Sequence, residues 1–350
     1  MHVFDHVTDL IGNTPMIRLN ALRESGEADI HAKLEYLNPG MSIKDRTALG
    51  LITAAERDGR LQPGGTILEA TAGNTGVGLA LVGVSRGYRV IIVMVEGYAG
   101  EKMTLIHGLG GEILTVPAEV GMVGAVEKAQ KLADTIPGAL MMRQFDNPAN
   151  AEIHYRTTGP EIWDQMGGKV DGVVIGAGTG GTFTGVARFL RERNPGIRCH
   201  VVEPPDSIFG GGDGEGEHMV EGIGNHWWPE ILDRSLMDGV FTIPHHETFA
   251  WVDRIARLGL IGGPSSGANM AGAKRLARQL GPGKNVVTLF TDPSERYFSK
   301  YVYDGRYEGR PISAGHQEGE PGGGSPEAPP AGEAVDPVVY QDGDGRFPAV

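Results

Sequence analysis

Short apolar runs rich in β-branched residues recur between residues 66 and 290, and each is bounded by glycine, proline or polar residues. Runs of this length and composition predict β-strands. The six clearest runs cover residues 66–69, 88–95, 112–116, 170–175, 198–203 and 285–290. Stretches with a helical spacing of apolar residues lie between them, for example residues 121–135 and 182–193. This alternation predicts an α/β fold with parallel sheets.

The predicted strands fall into two sets, which are separated by a loop-rich stretch around residues 143–150. We therefore predict two open, twisted sheets with flanking helices instead of one continuous sheet. A cleft between the two sheets is the expected ligand site.

Composition and charge exclude several classes of protein. The chain has 350 residues, with 31 basic against 44 acidic side chains and a net charge of −13, which disfavours nucleic-acid binding. The most apolar stretch, residues 77–95, is interrupted by Arg86 and Arg89, so we expect no membrane span. The single cysteine, Cys199, cannot form an internal disulfide, and no cysteine or histidine spacing indicates a metal site. We expect a cytoplasmic protein without a metal ion.

The last forty residues differ in composition from the rest of the chain. Residues 311–350 contain eight Gly, seven Pro and seven acidic side chains against one Arg, and therefore carry −6 of the net charge. Such a segment cannot bury enough apolar surface to offset the loss of chain entropy. We predict a disordered tail.

A glycine-rich turn follows the predicted strand at residues 170–175 and leads into a helix. Backbone N–H groups converge on an anion in a turn of this kind, so a phosphate is expected here. Gly176, Gly178 and Gly181 also satisfy the dinucleotide fingerprint, and Glu203 stands where a ribose-binding acid would be expected. A nicotinamide-dependent oxidoreductase is therefore an alternative on this segment alone.

A second glycine-rich turn, residues 71–76, differs in chemistry from the first. It offers hydroxyl groups on Thr71 and Thr75 and an amide on Asn74, which suit a carboxylate and a ring substituent. The other interpretation is an ordinary helix cap, since Thr and Asn favour that position.

Lys44 stands at an unusual place for a cation. The pattern Ser42-x-x-Asp45 predicts the start of a helix over residues 46–58 and places Lys44 in its first turn. The helix dipole opposes positive charge there, so we expect the pKa of this amine to lie below that of a free lysine. Such an amine is a nucleophile suited to a Schiff base. A surface lysine paired with Asp45 is the alternative.

Several short motifs follow one another along the chain in a specific order. They cover residues 11–15, 38–46, 71–76, 144–150, 157–163, 178–182, 221–224 and 265–267. Together they resemble the pyridoxal-phosphate β-synthases of fold type II, which include the cysteine synthases (O-acetylserine sulfhydrylases) and the catalytic core of cystathionine β-synthase. The resemblance extends from about residue 8 to about residue 308.

The resemblance implies a role for each matching residue. Lys44 would form the Schiff base with pyridoxal 5'-phosphate and then act as the base on the substrate α-proton. The remaining cofactor-binding residues would be Asn74 at the ring hydroxyl, Ser265 at the pyridine nitrogen, and Gly178, Thr179, Gly180, Gly181 and Thr182 at the phosphate. The substrate-binding residues would be Thr71, Ala72, Gly73, Thr75, Gln144 and Gly222.

The resemblance also implies the architecture. The fold would be of the tryptophan synthase β type, with a large cofactor-binding domain from residues 1–45 and 150–310. A small, mobile substrate-binding domain would comprise residues 46–149. The family generally forms homodimers, so we expect one here.

Two positions depart from the family pattern. Many members have Ser where Ala72 stands, which removes one contact to the substrate carboxylate, worth roughly 1 kcal/mol. Residues 291–297 begin with Thr-Asp-Pro where Pro-Ser or Pro-Asp is more usual, which alters the surroundings of the pyridine ring. Neither departure affects Lys44.

The implied reaction is β-replacement on a serine derivative by a thiol or sulfide. Glu221 before Gly222 is more typical of cystathionine β-synthase, whereas residues 11–19 and 144–162 resemble cysteine synthases at least as well. We favour the formation of L-cysteine from O-acetylserine and sulfide. Cystathionine synthesis from serine and homocysteine is the alternative, and a specialised synthase of β-substituted alanines is also open.

Overall fold

The computed structural model describes residues 3–97, 100–214, 219–300 and 302–303. The predicted tail of residues 311–350 lies outside the described residues, as does the end of the predicted large domain beyond residue 303.

Ten strands occur in the described part of the chain. They are β1 (Met16–Arg18), β2 (Asp29–Leu34), β3 (Thr66–Ala70), β4 (Arg89–Val95), β5 (Glu112–Val116), β6 (Ala139–Met141), β7 (Gly172–Gly176), β8 (Arg198–Glu203), β9 (Gly239–Thr242) and β10 (Asn285–Phe290).

Nine α-helices accompany these strands in the same described ranges. They are α1 (Lys44–Arg57), α2 (Asn74–Ser85), α3 (Gly100–Gly108), α4 (Gly121–Thr135), α5 (Ala149–Arg156), α6 (Thr158–Gln165), α7 (Gly181–Arg193), α8 (His245–Ala256) and α9 (Pro264–Leu280). Among the residues described, none of these helices has the length and apolar character needed to cross a membrane.

The strands form two sheets, as predicted. The larger has six strands in the order β1-β2-β10-β7-β8-β9, and the smaller has four in the order β5-β4-β3-β6. All neighbouring strands are parallel except β1 and β2, which pair antiparallel. The predicted α/β fold with two open sheets and flanking helices is confirmed. The division into a large and a small domain stays a prediction.

Alternate residues of the larger sheet pack on opposite faces, because successive side chains of a strand point to opposite sides. Val174 and Val286 join the cluster that contains Met270 of α9, whereas Val173 joins the cluster that contains Phe183 of α7. Helices therefore cover both faces of this sheet, as in other parallel sheets. The smaller sheet is covered in the same way, by α1 and α2 on one face and α4 on the other.

The six predicted strands are all present, with bounds shifted by no more than two residues. The four strands that were not predicted are β1, β2, β6 and β9. Strands β1, β6 and β9 are three or four residues long and lie at sheet edges, so they carry little periodic signal. Strand β2 lies inside the larger sheet but contains Lys33, whose buried ammonium donates to the Thr14 carbonyl oxygen at 2.9 Å.

The candidate chemistry lies where parallel strands end. The turn at residues 71–73 follows β3, the turn at residues 177–180 follows β7, and Thr291 follows β10. Carboxyl ends of parallel strands meet at one edge of a sheet, which is the usual ligand site of such folds.

Candidate active site

One cleft of about 660 Å³ receives residues from both sheets. All the site residues implied by the family resemblance line it except Gly181, which is the first residue of α7. Sequence positions from 44 to 265 are thus brought to one place.

Lys44 is the first residue of α1, and its backbone N–H donates to Ser42 Oγ at 3.2 Å. The predicted capping pattern is wrong in detail, because α1 begins two residues before the predicted position and the Asp45 carboxylate accepts from the Gly40 N–H at 2.6 Å instead. Burial lowers the pKa of Lys44 to about 8, although Asp292 acts in the opposite direction. The predicted direction of the shift agrees, but burial is the main cause.

Two features hold the start of α1 in place. Helix α2 packs so closely that a Cβ atom at Gly78 would lie 2.8 Å from the Lys44 carbonyl oxygen. On the other side, the buried Arg46 guanidinium donates to Glu35 at 2.8 Å and to Glu161 at 2.6 Å. A buried ion pair with full hydrogen bonding resists displacement, since breaking it would leave an unpaired buried charge. The Lys44 backbone is therefore rigidly placed.

The turn at residues 177–180 forms an anion cradle at the N-terminus of α7. Gly180 adopts a φ of 82°, which favours glycine, and a Cβ atom at Gly178 would overlap the carbonyl oxygen of Gly222. Asn225 Nδ2 donates to the carbonyl oxygens of Ala177 and Gly178 at 2.7 and 2.6 Å. These bonds satisfy two backbone carbonyls of the turn, and the N-terminus of α7 supplies N–H groups and the helix dipole for an anion.

The Glu203 side chain is buried behind this cradle. Its carboxylate accepts from the Ala177 N–H at 3.2 Å and from the Gly224 N–H at 2.8 Å. Burial raises the pKa of Glu203 to about 7. This carboxyl is therefore part of the cradle's internal hydrogen bonding and does not face a ribose, which argues against the dinucleotide interpretation.

Two buried residues that were not singled out from the sequence hold the hydroxyl groups of the cradle. Asn150 Nδ2 donates to Thr179 Oγ1 at 3.0 Å and to the Gln144 carbonyl oxygen at 2.8 Å. His154 Nε2 lies 3.2 Å from Thr182 Oγ1. Burial lowers the pKa of His154 well below its usual value, so the ring is neutral. Asn150 is the last residue of the motif at residues 144–150, and its place in that motif is the sequence signal that could have identified it.

The turn that follows β3 carries hydroxyl and amide groups. Thr71 Oγ1 accepts from the Gly73 N–H at 3.1 Å, and Thr75 donates its hydroxyl proton to Gln144 Oε1 at 2.6 Å. The Gln144 N–H donates to the buried carboxyl of Glu69 at 3.1 Å. Burial raises the pKa of Glu69 to about 7. We call residues 71–75 the carboxylate loop, after the group their hydroxyls and N–H groups suit.

Asn74 is engaged through both ends of its amide. Its Nδ2 donates to Asp292 Oδ2 at 2.6 Å, and its Oδ1 accepts from Arg296. Tyr297 also donates to Asp292 Oδ2, at 2.5 Å. An amide nitrogen has two protons, so one Asn74 donor remains beyond Asp292, with the Tyr297 hydroxyl as a further neighbour that interacts with this amide. The segment after β10, where the sequence departs from the family pattern, thus contacts a candidate cofactor residue.

A lysine–glutamate cluster completes the described lining of the cleft. Lys102 from α3 and Lys300 both donate to the carboxylate of Glu221. Burial lowers the pKa of each lysine to about 8. Their proximity to Glu221 was not expected from the sequence, in which the three residues are far apart.

The site fits a phosphorylated ring aldehyde. The glycine turn, in which a side chain at Gly178 would collide with backbone, leaves space and N–H donors for a phosphate, and Lys44 supplies the amine. Ser265, in the first turn of α9, lines the opposite part of the cleft.

Comparisons with known proteins agree with this chemistry. The sequence model of the pyridoxal-phosphate dependent enzymes matches residues 7–292. O-acetylserine dependent cystathionine beta-synthase from Bacillus subtilis (strain 168) is 42% identical over 306 residues, covering 87% of this chain and 99% of the relative. Cysteine synthase from Staphylococcus aureus (strain Mu50 / ATCC 700699) is 39% identical over 301 residues, covering 85% and 97%.

Solved structures are similar over most of their length. The O-acetylserine dependent cystathionine beta-synthase from Helicobacter pylori superposes with a TM-score of 0.82 at 39% identity, covering 87% of this chain and 100% of that one. O-ureido-L-serine synthase superposes with a TM-score of 0.83 at 37% identity, covering 88% and 98%.

Proposed function

The chain belongs to the family of pyridoxal-phosphate dependent enzymes, and we propose that it forms L-cysteine from O-acetyl-L-serine and sulfide by β-replacement. One observation carries this proposal. Lys44, with its pKa lowered to about 8, lines the same cleft as an anion cradle and a loop of hydroxyl groups.

The bound cofactor supplies an electron sink for the α-carbon of an amino acid. In our proposal Lys44 holds it covalently, and Gly178, Thr179, Gly180, Gly181 and Thr182 bind its phosphate. Asn74 donates its remaining amide proton to the ring hydroxyl, and Ser265 faces the ring nitrogen. Each group matches the donor or acceptor that its partner requires.

The carboxylate loop is the proposed site of the substrate carboxylate. Thr71 accepts from the Gly73 N–H and keeps its own hydroxyl proton to donate. Gln144 accepts from the Thr75 hydroxyl and offers its side-chain NH₂. Gly222 borders the same space. Ala72 contributes no hydroxyl, so we expect weaker substrate binding than a Ser would allow.

Once the amino group of the substrate has displaced it from the cofactor, Lys44 is also the proposed base for the α-proton. A pKa near 8 keeps a useful fraction of the amine neutral near physiological pH, whereas an ordinary lysine would be almost entirely charged. The acetate leaving group then departs from the β-carbon, and sulfide adds to the same carbon.

Cystathionine formation is the second candidate, and the lysine–glutamate cluster favours it. The two ammonium groups and one carboxylate of Lys102, Lys300 and Glu221 match the charged groups of an amino-acid nucleophile such as homocysteine. The relatives from B. subtilis and H. pylori carry this activity in their names.

Steady-state assays separate these candidates. The purified holoenzyme would be given O-acetylserine with sulfide, O-acetylserine with homocysteine, and serine with homocysteine. We expect the highest kcat/KM for O-acetylserine with sulfide. A higher kcat/KM with homocysteine than with sulfide would identify homocysteine as the nucleophile. Turnover with serine but not with O-acetylserine would identify serine as the donor.

A matched pair of variants tests the cluster. Glu221→Gln should lower kcat/KM for homocysteine more than for sulfide if the cluster binds a charged nucleophile. Glu119→Gln, an exposed change outside the cleft, is the control. We also propose a cytoplasmic homodimer, which sedimentation and cell fractionation would test.

A further inference from the structure

Two hydroxyl groups meet in the part of the cleft where we place the ring nitrogen. Ser265 Oγ lies 2.5 Å from Thr291 Oγ1, and both residues line the cleft. Ser265 is the second residue of α9, and Thr291 is the first residue after β10. The pair therefore joins a helix N-terminus to a strand end.

A second bond fixes the position of Thr291. Its backbone N–H donates to Oγ of Ser266, a fully buried side chain, at 3.1 Å. With the backbone held in this way, the Thr291 hydroxyl stays against Ser265. A proline at this position would lack both the N–H and the hydroxyl.

Proton counting leaves two arrangements of the pair. Each hydroxyl has one proton and two acceptor lone pairs. If Thr291 donates to Ser265, the Ser265 proton points away from Thr291 and can be given to an unprotonated ring nitrogen. If Ser265 donates to Thr291, Ser265 presents only a lone pair, which suits a protonated nitrogen.

The surroundings favour the first arrangement. The N-terminus of α9 carries a partial positive charge, which opposes a cationic ring nitrogen beside Ser265. The neighbouring carboxylate, Asp292, accepts from Asn74 and Tyr297 through Oδ2, and its buried Oδ1 makes no hydrogen bond to Ser265 or to another described residue. Among the described hydrogen bonds, Ser265 has Thr291 and no carboxylate as its side-chain partner.

We propose that Thr291 is a positioning residue that turns the Ser265 hydroxyl so that its proton is donated to the unprotonated ring nitrogen of the cofactor. The proposal rests on the role given to Ser265 above. An unprotonated ring nitrogen is a weaker electron sink, which favours rapid loss of a β-leaving group over reactions that need a long-lived carbanion.

The test is ¹⁵N NMR of holoenzyme loaded with pyridoxal phosphate labelled at the ring nitrogen. Wild-type protein should show an unprotonated, hydrogen-bonded nitrogen. Thr291→Val should move the resonance downfield, toward the position in Ser265→Ala, and lower kcat/KM about fivefold, the equivalent of about one hydrogen bond. Thr291→Ser, which keeps the hydroxyl, should leave the resonance in place.

The double variant Ser265→Ala/Thr291→Val tests whether Thr291 affects the ring nitrogen only through Ser265. Its resonance should equal that of Ser265→Ala, because Thr291 acts only through Ser265. A protonated nitrogen in the wild type, an unchanged resonance in Thr291→Val, or a further shift in the double variant would each overturn the proposal. If Thr291→Val does not fold, Thr291→Ala takes its place with the same expectation.

Borohydride reduction of the same samples, followed by peptide mass analysis, reports whether the cofactor is attached to Lys44. Attachment elsewhere contradicts the proposed function itself. Attachment to Lys44 with an unchanged resonance contradicts only the role of Thr291.

Discussion

The anion cradle and the carboxylate loop are both glycine-containing turns between a strand and a helix, yet their hydrogen bonds differ. The cradle is held by buried side chains from separate parts of the chain. Glu203 of β8 and the loop residue Asn225 bond its backbone, and Asn269 of α9 accepts from the N–H of Gly176, which precedes the cradle. The carboxylate loop is held by its own Thr71 and by Gln144, Asp292 and Arg296, which come from outside the smaller sheet.

This difference fits the roles proposed for the two turns, a permanent ligand in the cradle and a transient one at the carboxylate loop. The cradle needs no further contact to keep its shape, which suits a phosphate that stays bound through every turnover. The carboxylate loop depends on residues across the cleft, which suits a substrate that enters and leaves. Donors that are already in place bind a ligand with little loss of conformational entropy, because few groups have to be ordered on binding.

Lys44→Ala should have the largest effect, because the proposed chemistry at both turns depends on this one amine. We expect loss of covalent cofactor attachment and of β-replacement, measured by the visible spectrum and by L-cysteine formation. Lys284→Ala removes an exposed lysine paired with Asp171 and serves as the control. Full activity in Lys44→Ala would contradict the proposed function.

Gly178→Ala and Gly73→Ala compare the two turns directly. A Cβ atom at Gly178 would overlap backbone, so we expect cofactor affinity to fall about 100-fold, equivalent to about 3 kcal/mol of overpacking. A Cβ atom at Gly73 would lie 3.7 Å from Thr71 Oγ1, an ordinary contact, so cofactor affinity should stay unchanged. Equilibrium dialysis gives both values, and equal losses would show that the turns do not differ.

The pH dependence of cofactor attachment tests the environment of Lys44. Only the neutral amine attacks an aldehyde, and the neutral fraction rises through the pKa. With a pKa of about 8, this fraction increases about 50-fold from pH 6 to pH 8 and then levels off. Stopped-flow reconstitution of the apoenzyme measures this rate, with Nα-acetyllysine as control. A rate that still rises tenfold between pH 9 and 10 would contradict a lowered pKa.

Thr75→Val and Thr182→Val remove one hydroxyl from each turn. Thr75→Val should raise KM for O-acetylserine about five- to tenfold, the loss of one hydrogen bond, without changing cofactor affinity. Thr182→Val should weaken cofactor binding by a similar factor, because this hydroxyl, held by His154, lies directly after the cradle in the first turn of α7. If Thr75→Val instead weakened cofactor binding and Thr182→Val raised KM, the roles of the two turns would be reversed.

Ala72→Ser should have the smallest effect. The added hydroxyl would face the cleft in the carboxylate loop, and we expect the substrate dissociation constant to fall about fivefold, equivalent to about 1 kcal/mol. Isothermal titration with a non-reactive analogue of O-acetylserine measures this change. An unchanged dissociation constant would mean that the loop does not bind the carboxylate at this residue.

Sequence patterns predicted the parts of the molecule that depend on local rules. The two sheets followed from strand and helix periodicity, and both turns followed from glycine between a strand and a helix. Lys44 was singled out because a lysine in the first turn of a helix is electrostatically unusual, and the ordered motifs favoured it over the alternative of a surface lysine. Burial, which the sequence does not show, proved to be the main cause of its pKa shift.

Contacts between distant segments could not be predicted. The bonds from Asn74 to Asp292 and from Ser265 to Thr291 join residues 218 and 26 positions apart. Glu203 was a candidate for a ribose-binding acid only in the alternative interpretation, because its sequence distance from the glycine turn allowed it, whereas in the fold its carboxylate bonds back to that turn. Such contacts depend on how strands are ordered in the sheets, which local patterns do not encode.

All four strands of the smaller sheet come from one uninterrupted stretch, Thr66 to Met141, whereas the larger sheet is assembled from segments on both sides of it. The smaller sheet is thus encoded by one continuous segment of the gene, a cassette with one boundary at each end. Lys44 and the anion cradle lie outside this cassette, and the carboxylate loop lies inside it. Recombination between related genes can therefore exchange the proposed substrate-binding loop, together with Asn74, while Lys44 and the anion cradle are inherited unchanged.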